Sequence, residues 1–184
     1  MSRAKEVAKS LLKTGAVKLN VKEPFTFVSG IKSPIYCDNR KMIGYPAERK
    51  VVVDEFIKKL SEKNFDVVAG TATAGIPWAA FIAWEMNKPM SYIRGEKKAH
   101  GAGRQIEGAD FTGKKVIVIE DIIATGRSSI KAVEAAKSEE AASGEVVSIF
   151  SCEFDQAFEN FADNNIPCES LSNISALLAL AIEE

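Results

Sequence analysis

The residues with the clearest chemical potential lie in VIVIEDIIATGRSS, Val116 to Ser129. Four apolar residues run into two acids, Glu120 and Asp121. Ile122 and Ile123 follow, and then Ala124, Thr125, Gly126, Arg127 and Ser128 form a small-residue turn that leads into a helical pattern. Main-chain N–H groups at a helix start, aided by serine and threonine hydroxyls, bind phosphate without a lysine. The lysine-bearing G-x-x-x-x-G-K-[ST] loop is absent. Carboxylates repel phosphate on contact. They become useful when the carrier of the phosphate also brings hydroxyl donors or a magnesium ion. A sugar phosphate meets both demands: loop amides take the phosphate, and the acids take ring hydroxyls or the metal.

A second candidate set is GEKKAHGAGRQIEGADFTGKK, between two strand patterns. Arg94, Lys97, Lys98 and Arg104 stand against Glu96 and Glu107 over residues 94–108, with four glycines and His100, the single histidine of the chain. A connection of this length is usually functional or disordered. Its basic face and glycine hinges predict a lid that closes on an anion.

The elements around these sets predict how they are held. Ala4 to Lys13 has helical spacing, with Gly15 as its stop. PFTFVSGIKSPIYCD reads as short strands or a hairpin. A helix is expected from Tyr45–Pro46 to about Lys63, with Val52, Val53, Phe56, Ile57 and Leu60 inward. FDVVAG, PMSYIR, KKVIVIED and EVVSIFSCEF read as strands. GIPWAAFIAWEMN, SSIKAVEAAKSEE and ISALLALAIEE read as helices, the second with Ser128 or Ser129 as N-cap. Strands alternating with helices imply an open, doubly wound, mostly parallel α/β sheet, and ligands of such sheets bind at the carboxyl ends of the strands. Glu120 and Asp121 sit at such an end. With no internal repeat and no linker, residues 1–184 are expected to form one domain.

Bulk properties narrow the function classes. Of 184 residues, 46% are hydrophobic and 27% charged, and the net charge is −1. That balance is globular and offers no basic field for nucleic acid. No apolar run reaches the ~20 residues of a membrane span. The first residues read as an amphipathic helix rather than a signal peptide. Cys37, Cys152 and Cys168 are widely spaced and odd in number, which predicts reduced thiols and a cytoplasmic setting. One histidine makes a structural zinc site an unsuitable reading.

The aliphatic run, the acid pair and the T-G-x-S turn resemble the 5-phospho-α-D-ribosyl 1-diphosphate (PRPP) binding motif of type I phosphoribosyltransferases. EPFTFVSGIKSPIYCDNR, GTATAGIP, YIRGEKKAHGAGRQIEG and VIVIEDIIATGRSS, with LSN near the C-terminus, are similar in order to the blocks of the orotate phosphoribosyltransferase family of Gram-positive bacteria. The resemblance covers nearly the whole chain. It implies an open, mostly parallel sheet flanked by helices, a small hood from about residues 1–45 and C-terminal elements, and a lid over 94–108. It also implies Mg²⁺-dependent transfer of phosphoribosyl from PRPP to orotate, giving orotidine 5′-monophosphate and diphosphate, in pyrimidine synthesis.

By the same resemblance, Arg94, Lys98, His100 and residues Glu120, Asp121, Ile122, Ile123, Ala124, Thr125, Gly126, Arg127 and Ser128 bind PRPP. Lys98, His100 and Asp121 are the catalytic candidates. Thr71, Ala72, Thr73, Ala74 and Gly75 form the pyrophosphate turn, a place where a strained or cis peptide is expected. Lys32, Tyr36, Cys37 and Ala124 face the orotate. Magnesium is carried mainly by PRPP, with Glu120 and Asp121 as supplementary ligands. A homodimer is implied, with the lid acting on the neighbouring subunit's site, and neither nucleic acid nor membrane is a partner. Several positions depart from the family pattern. Ala124 replaces a Ser or Thr, Arg127 a frequent glycine, Ala74 the lysine of some branches, and Gly95 a Lys or Ser. Trp78 follows GIP where His or another residue is common, and is expected to pack in the core with Trp84 farther along. The alternatives left open are transfer to another base, and a non-catalytic PRPP-sensing regulator.

Overall fold

A parallel sheet covered on both faces needs strands whose alternate residues are both apolar, and this chain supplies them. The computed structural model describes residues 2–20, 23–26, 32–33, 35–96 and 105–183. In chain order it contains α1 (Arg3–Lys13), β1 (Val17–Leu19), β2 (Phe25–Thr26), β3 (Lys32–Ser33), β4 (Ile35–Cys37), a 3₁₀ helix (Asn39–Gly44), α2 (Pro46–Leu60), β5 (Val67–Thr71) and α3 (Gly75–Glu85). There follow β6 (Met90–Ile93), β7 (Ile106–Gly108), β8 (Lys115–Ile123), α4 (Arg127–Ser138), β9 (Ser143–Ser151), α5 (Asp155–Asp163), β10 (Cys168–Asn173) and α6 (Ile174–Glu183).

The main sheet has the order β10-β9-β8-β5-β6-β7. Every neighbouring pair is parallel except β6 with β7. Side chains alternate across it with period two. Val68, Ile117, Ile119, Val147 and Ile149 enter one core with Leu11 of α1, Phe56 of α2, Trp78 of α3 and Leu177 of α6. Val67, Ala69, Val116, Val118 and Val146 enter the other with Ile130 and Val133 of α4 and Phe161 of α5. Pro46 opens α2, where its fixed φ suits the first helical turn and its missing N–H costs nothing.

The chain winds outward from β5 to β6, then crosses back to place β8 on the other side of β5. That reversal is the switch point at which a doubly wound sheet opens a crevice. Pairing of β5 with β8 ends at Gly70 opposite Ile119, while β8 stays paired to β9 as far as Ile123. Two small ribbons lie apart from the main sheet. β1 pairs with β4, and β2 with β3, which is the hairpin expected of PFTFVSGIKSPIYCD. Helix α1 packs on β10, α2 and α6, so both ends of the sequence meet beside the ribbons.

Several expectations are corrected. Ser128 and Ser129 do not cap α4: Gly126 occupies the N-cap, and both serines lie in the first turn. Helix α2 stops at Leu60 rather than Lys63, closing with a turn in which Lys63 N donates to Leu60 O at 3.0 Å. The 94–108 segment ends in a strand, because β7 covers the edge of β6. Trp78 is fully buried, whereas Trp84 is 85% exposed and belongs to no core. α5 and β10 were not anticipated. β10 is mostly polar, and α5, although amphipathic, is only nine residues long and buries only Ala157 and Phe161.

Phe56 is fully buried where α2 meets the sheet. Phe56→Ala is expected to cost about 3–5 kcal/mol of folding stability. Urea unfolding of the variant beside the parent chain measures it, and a loss under about 1 kcal/mol, the scale of a surface change, contradicts this packing.

Candidate active site at the sheet switch point

Beyond Ile119, β8 has no strand partner on its β5 side among the described residues, and the two acids follow at that point. Glu120 is 6% and Asp121 8% exposed. Two adjacent carboxylates in so dry a place need donors or protons. Glu120 has the donors. Its Oε2 accepts from Ser128 Oγ at 3.3 Å and Ser129 Oγ at 3.2 Å, and its Oε1 accepts from Asp121 N at 3.1 Å. Asp121 is the acid that yields. Burial first, and then the charge of Glu120, push its carboxyl up to about 7. The pair can therefore accept hydrogen bonds from a diol, and Asp121 can exchange a proton near neutral pH.

The turn that follows is shaped for an anion. Gly126 has φ 76°, a conformation that favours glycine. A Cβ there would stand 2.5 Å from the Phe161 ring. Helix α5 braces the same turn from behind, with Asn160 Nδ2 donating to Thr125 O at 2.8 Å. Helix α4 then starts at Arg127, so the first-turn N–H groups face the crevice mouth without intrahelical partners. Arg127 lies inside the helix and outside the left-handed region, so replacing a frequent glycine costs no backbone strain here. Its side chain lines a groove of ≈ 330 Å³ with Arg94, Lys131, Thr71 and Ala72.

Thr71 to Gly75 face this turn across the gap. The Ala72–Thr73 peptide is cis, as expected of the segment. Thr71 Oγ1 donates to Ile119 O at 3.2 Å. A Cβ on Gly75 would come within 2.3 Å of Ile119 O, so only glycine lets α3 start this close to β8. Ala74 precedes α3 and brings no charge. Arg94 stands at the end of β6, 3.9 Å from Glu107. Its main-chain N–H donates to Gln105 O at 2.9 Å, and Gln105 Nε2 donates to Arg94 O at 3.0 Å. These bonds close the stem of the segment expected to act as a lid. Lys98 and His100 lie outside the described residues.

The other wall is the hood. Ile35, Cys37, Ile122, Ala124, Cys152 and Phe154 line an apolar cavity of ≈ 280 Å³, closed by Ile174 of α6. Ala124 thus presents a methyl to an apolar space. Burial chiefly, with Cys152 and Asp121 nearby, pushes the Cys37 thiol up to about 12, and burial pushes Cys152 up to about 11. Both stay protonated and act as walls rather than nucleophiles. Tyr36 lies on the opposite face of β4 from Cys37, with its ring centroid 5.7 Å from that of Phe25. Lys32 lies in β3, and its main chain alone is described. The sequence reading missed Asn39. This residue is 1% exposed, and its Nδ2 donates to Asp121 O at 2.7 Å. The only sequence signal was its place in CDNR, directly after the hood strand.

No cluster of three or more His, Cys, Asp or Glu side chains that could hold a metal occurs among the described residues. The acid pair offers hard oxygen ligands that suit magnesium. A cation there must take its remaining ligands from water or from a bound phosphate, which is how magnesium is usually held.

The family model that matches the chain is the phosphoribosyl transferase domain, over residues 42–175. The chain is 50% identical over 186 residues to orotate phosphoribosyltransferase of Streptococcus pneumoniae serotype 19F, covering 100% of this chain and 89% of that one. Orotate phosphoribosyltransferase of Aeropyrum pernix has a TM-score of 0.82 at 30% identity, over 97% of this chain and 99% of that one. Leishmania donovani UMP synthase has a TM-score of 0.81 at 30% identity, over 98% of this chain but 38% of that longer one. This chain belongs to the orotate phosphoribosyltransferase family.

The raised Asp121 carboxyl has a consequence for stability. In the unfolded chain it ionises near 3.8, and in the fold near 7. Folding therefore takes up a proton between these values, and the stability this brings is full below the lower value and lost as pH rises through the upper. Asp121→Asn removes the titration. Thermal melts of the ligand-free protein should show the variant more stable than the parent above about pH 7, with a flatter profile between pH 4 and 7. Parallel profiles would contradict the assignment.

Proposed function

We propose that the chain is an orotate phosphoribosyltransferase, transferring the phosphoribosyl group of PRPP to orotate and releasing orotidine 5′-monophosphate and diphosphate. The observation that carries this reading is the arrangement at the switch point. One crevice joins a phosphate loop, a buried acid pair and an apolar hood cavity, in a chain half identical along its length to a named orotate phosphoribosyltransferase. All 184 residues act as one phosphoribosyltransferase unit in the cytoplasm, with the hood drawn from about 1–45 and the C-terminal part.

Each wall has its task. The amides of Ala124 to Ser128, with Thr125 Oγ1, hold the 5′-phosphate. Glu120 and Asp121 take the ribose 2′- and 3′-hydroxyls, and Ile122 and Ile123 carry the turn between them. Thr71 to Gly75 turn main-chain groups toward the diphosphate, while Arg94 and Arg127 add positive charge. The base lies under the hood against Ala124 and Cys37, while Tyr36, on the opposite face of β4, packs on Phe25 and backs the hood rather than touching the base. Lys32 supplies a positive charge for orotate. Magnesium, carried in mainly by PRPP and within reach of Glu120 and Asp121, supplies charge neutralisation on the diphosphate.

The chemistry asks for placement more than for a base. The orotate ring nitrogen attacks C1 of the ribose as an anion, and the bond from C1 to the diphosphate oxygen breaks. The nitrogen's electron pair forms the new bond, and the old bonding pair leaves with diphosphate. Positive charge grows on the sugar, beside two carboxyl groups, and negative charge grows on the leaving group, beside the cations. Fixed dipoles and charges in a dry crevice stabilise both changes without reorganising. The lid over 94–108 brings Lys98 and His100 to the diphosphate of the neighbouring subunit in a homodimer, where His100 donates a hydrogen bond or a proton.

Orotate absorbance, followed after mixing with PRPP, magnesium and the protein, tests the reading. Progressive loss is expected. PRPP binding with no loss would instead mark a sensor. Lys98→Ala should lower turnover by about 10²–10³, as removal of an oxyanion donor does, with an unchanged melting temperature. An unchanged rate refutes the lid role.

A further inference from the structure

We infer that Asn39 is a positioning residue. Its side chain stands in for the missing strand beside Asp121 and ties the hood to the acid pair. The inference rests on the function proposed above. In a parallel sheet, carbonyls two residues apart on one strand point to the same neighbour. Ile119 O and Asp121 O therefore both face the side from which β5 has departed. Each is met by a side chain instead of a strand: Ile119 O by Thr71 Oγ1 at 3.2 Å, and Asp121 O by Asn39 Nδ2 at 2.7 Å. Without the second bond, a carbonyl in the dry floor of the crevice would be unpaired, and the main chain at Asp121 would lose its tie to the hood.

Asn39 is also held from its own side. It follows β4, and the preceding Asp38 donates its N–H to Ala16 O at 2.7 Å. Asp38 also accepts from Arg40 Nε at 2.8 Å. Cys37, two residues before Asn39, lines the hood cavity. Two residues of main chain therefore link that cavity to Asn39, and the hydrogen bond from its side chain carries the link on to the backbone of Asp121. The other half of the amide brings no stability, because Asn39 Oδ1 is buried with no partner among the described residues. An asparagine chosen only for folding would not leave an acceptor orphaned; an apolar side chain would pack there at lower cost. What the amide contributes is the one directed bond to Asp121 O.

Two variants test this. Asn39→Leu removes the donor and the orphaned acceptor together at similar volume, so the fold should survive. Asn39→Asp keeps the shape and removes the donor. For both, kcat/KM for PRPP should fall about 10-fold or more, the scale of one lost buried hydrogen bond, while KM for orotate moves less than about two-fold and the melting temperature of Asn39→Leu falls by no more than about 5 °C, the scale of one unpaired carbonyl. Amide hydrogen exchange of the ligand-free Asn39→Leu protein supplies a readout independent of activity. Exchange should accelerate across Asp121 to Thr125 and stay unchanged in α2 and α3. Unchanged exchange in that segment, or acceleration spread evenly over the protein, overturns the inference. So does an unaltered kcat/KM in both variants. A parent protein that shows the exchange pattern but consumes no orotate would instead reject the proposed function and leave Asn39's role standing.

Discussion

The parting of β5 from β8 after Gly70 and Ile119 is the constraint on which the site depends. A parallel sheet satisfies its backbone by strand pairing, so a split leaves polar groups stranded in a dry floor. Here side chains do what a strand would have done. Thr71 and Asn39 cap successive carbonyls of β8, and Gly75 lets α3 start close enough to keep the gap narrow. The outcome is a crevice whose floor keeps these two carbonyls paired although its strands have separated.

Within that floor the two carboxyls are treated differently. Glu120 is surrounded by donors from the first turn of α4, so the helix that offers amides to a phosphate also steadies one acid. Asp121 has less help, and its carboxyl titrates close to neutral. A sugar diol answers both conditions, because hydroxyl donors lower the cost of a charged carboxylate in a dry site. The hood cavity beside them is almost wholly apolar, and its two thiols stay protonated. Charge is thereby confined to the acid-pair side of the crevice, and the side toward the hood is shaped mainly by apolar contact.

Much of this was legible in the sequence because its signals are local. The buried run of β8, the acid pair at its end and Gly126 before a helix are neighbours in the chain, and each follows from elementary propensities. The same holds for β5 and α2, whereas the cis peptide between Ala72 and Thr73 was expected only from the family resemblance. What misled was also local. Two serines before an apolar helical pattern read as caps, but the left-handed turn at Gly126 begins the helix earlier and turns their hydroxyls to Glu120. Trp84 follows an apolar helix pattern, yet α3 rotates it away from both cores. β10 is largely polar, and α5 is a short helix of nine residues whose apolar stripe buries only Ala157 and Phe161.

The sequence by itself determined the class of fold, the place of the crevice, and the glycine turn that follows its two acids. These follow from hydrophobic period, glycine conformation and charge within short windows. Only the tertiary structure decided that Asn39, 82 positions from Asp121, would hold its carbonyl. It also decided which acid would be raised, and that Ala124, Cys37 and Cys152 would share one apolar cavity. Those outcomes depend on burial and on distances between residues far apart in the chain, and neither quantity exists until the sheet has closed and then split.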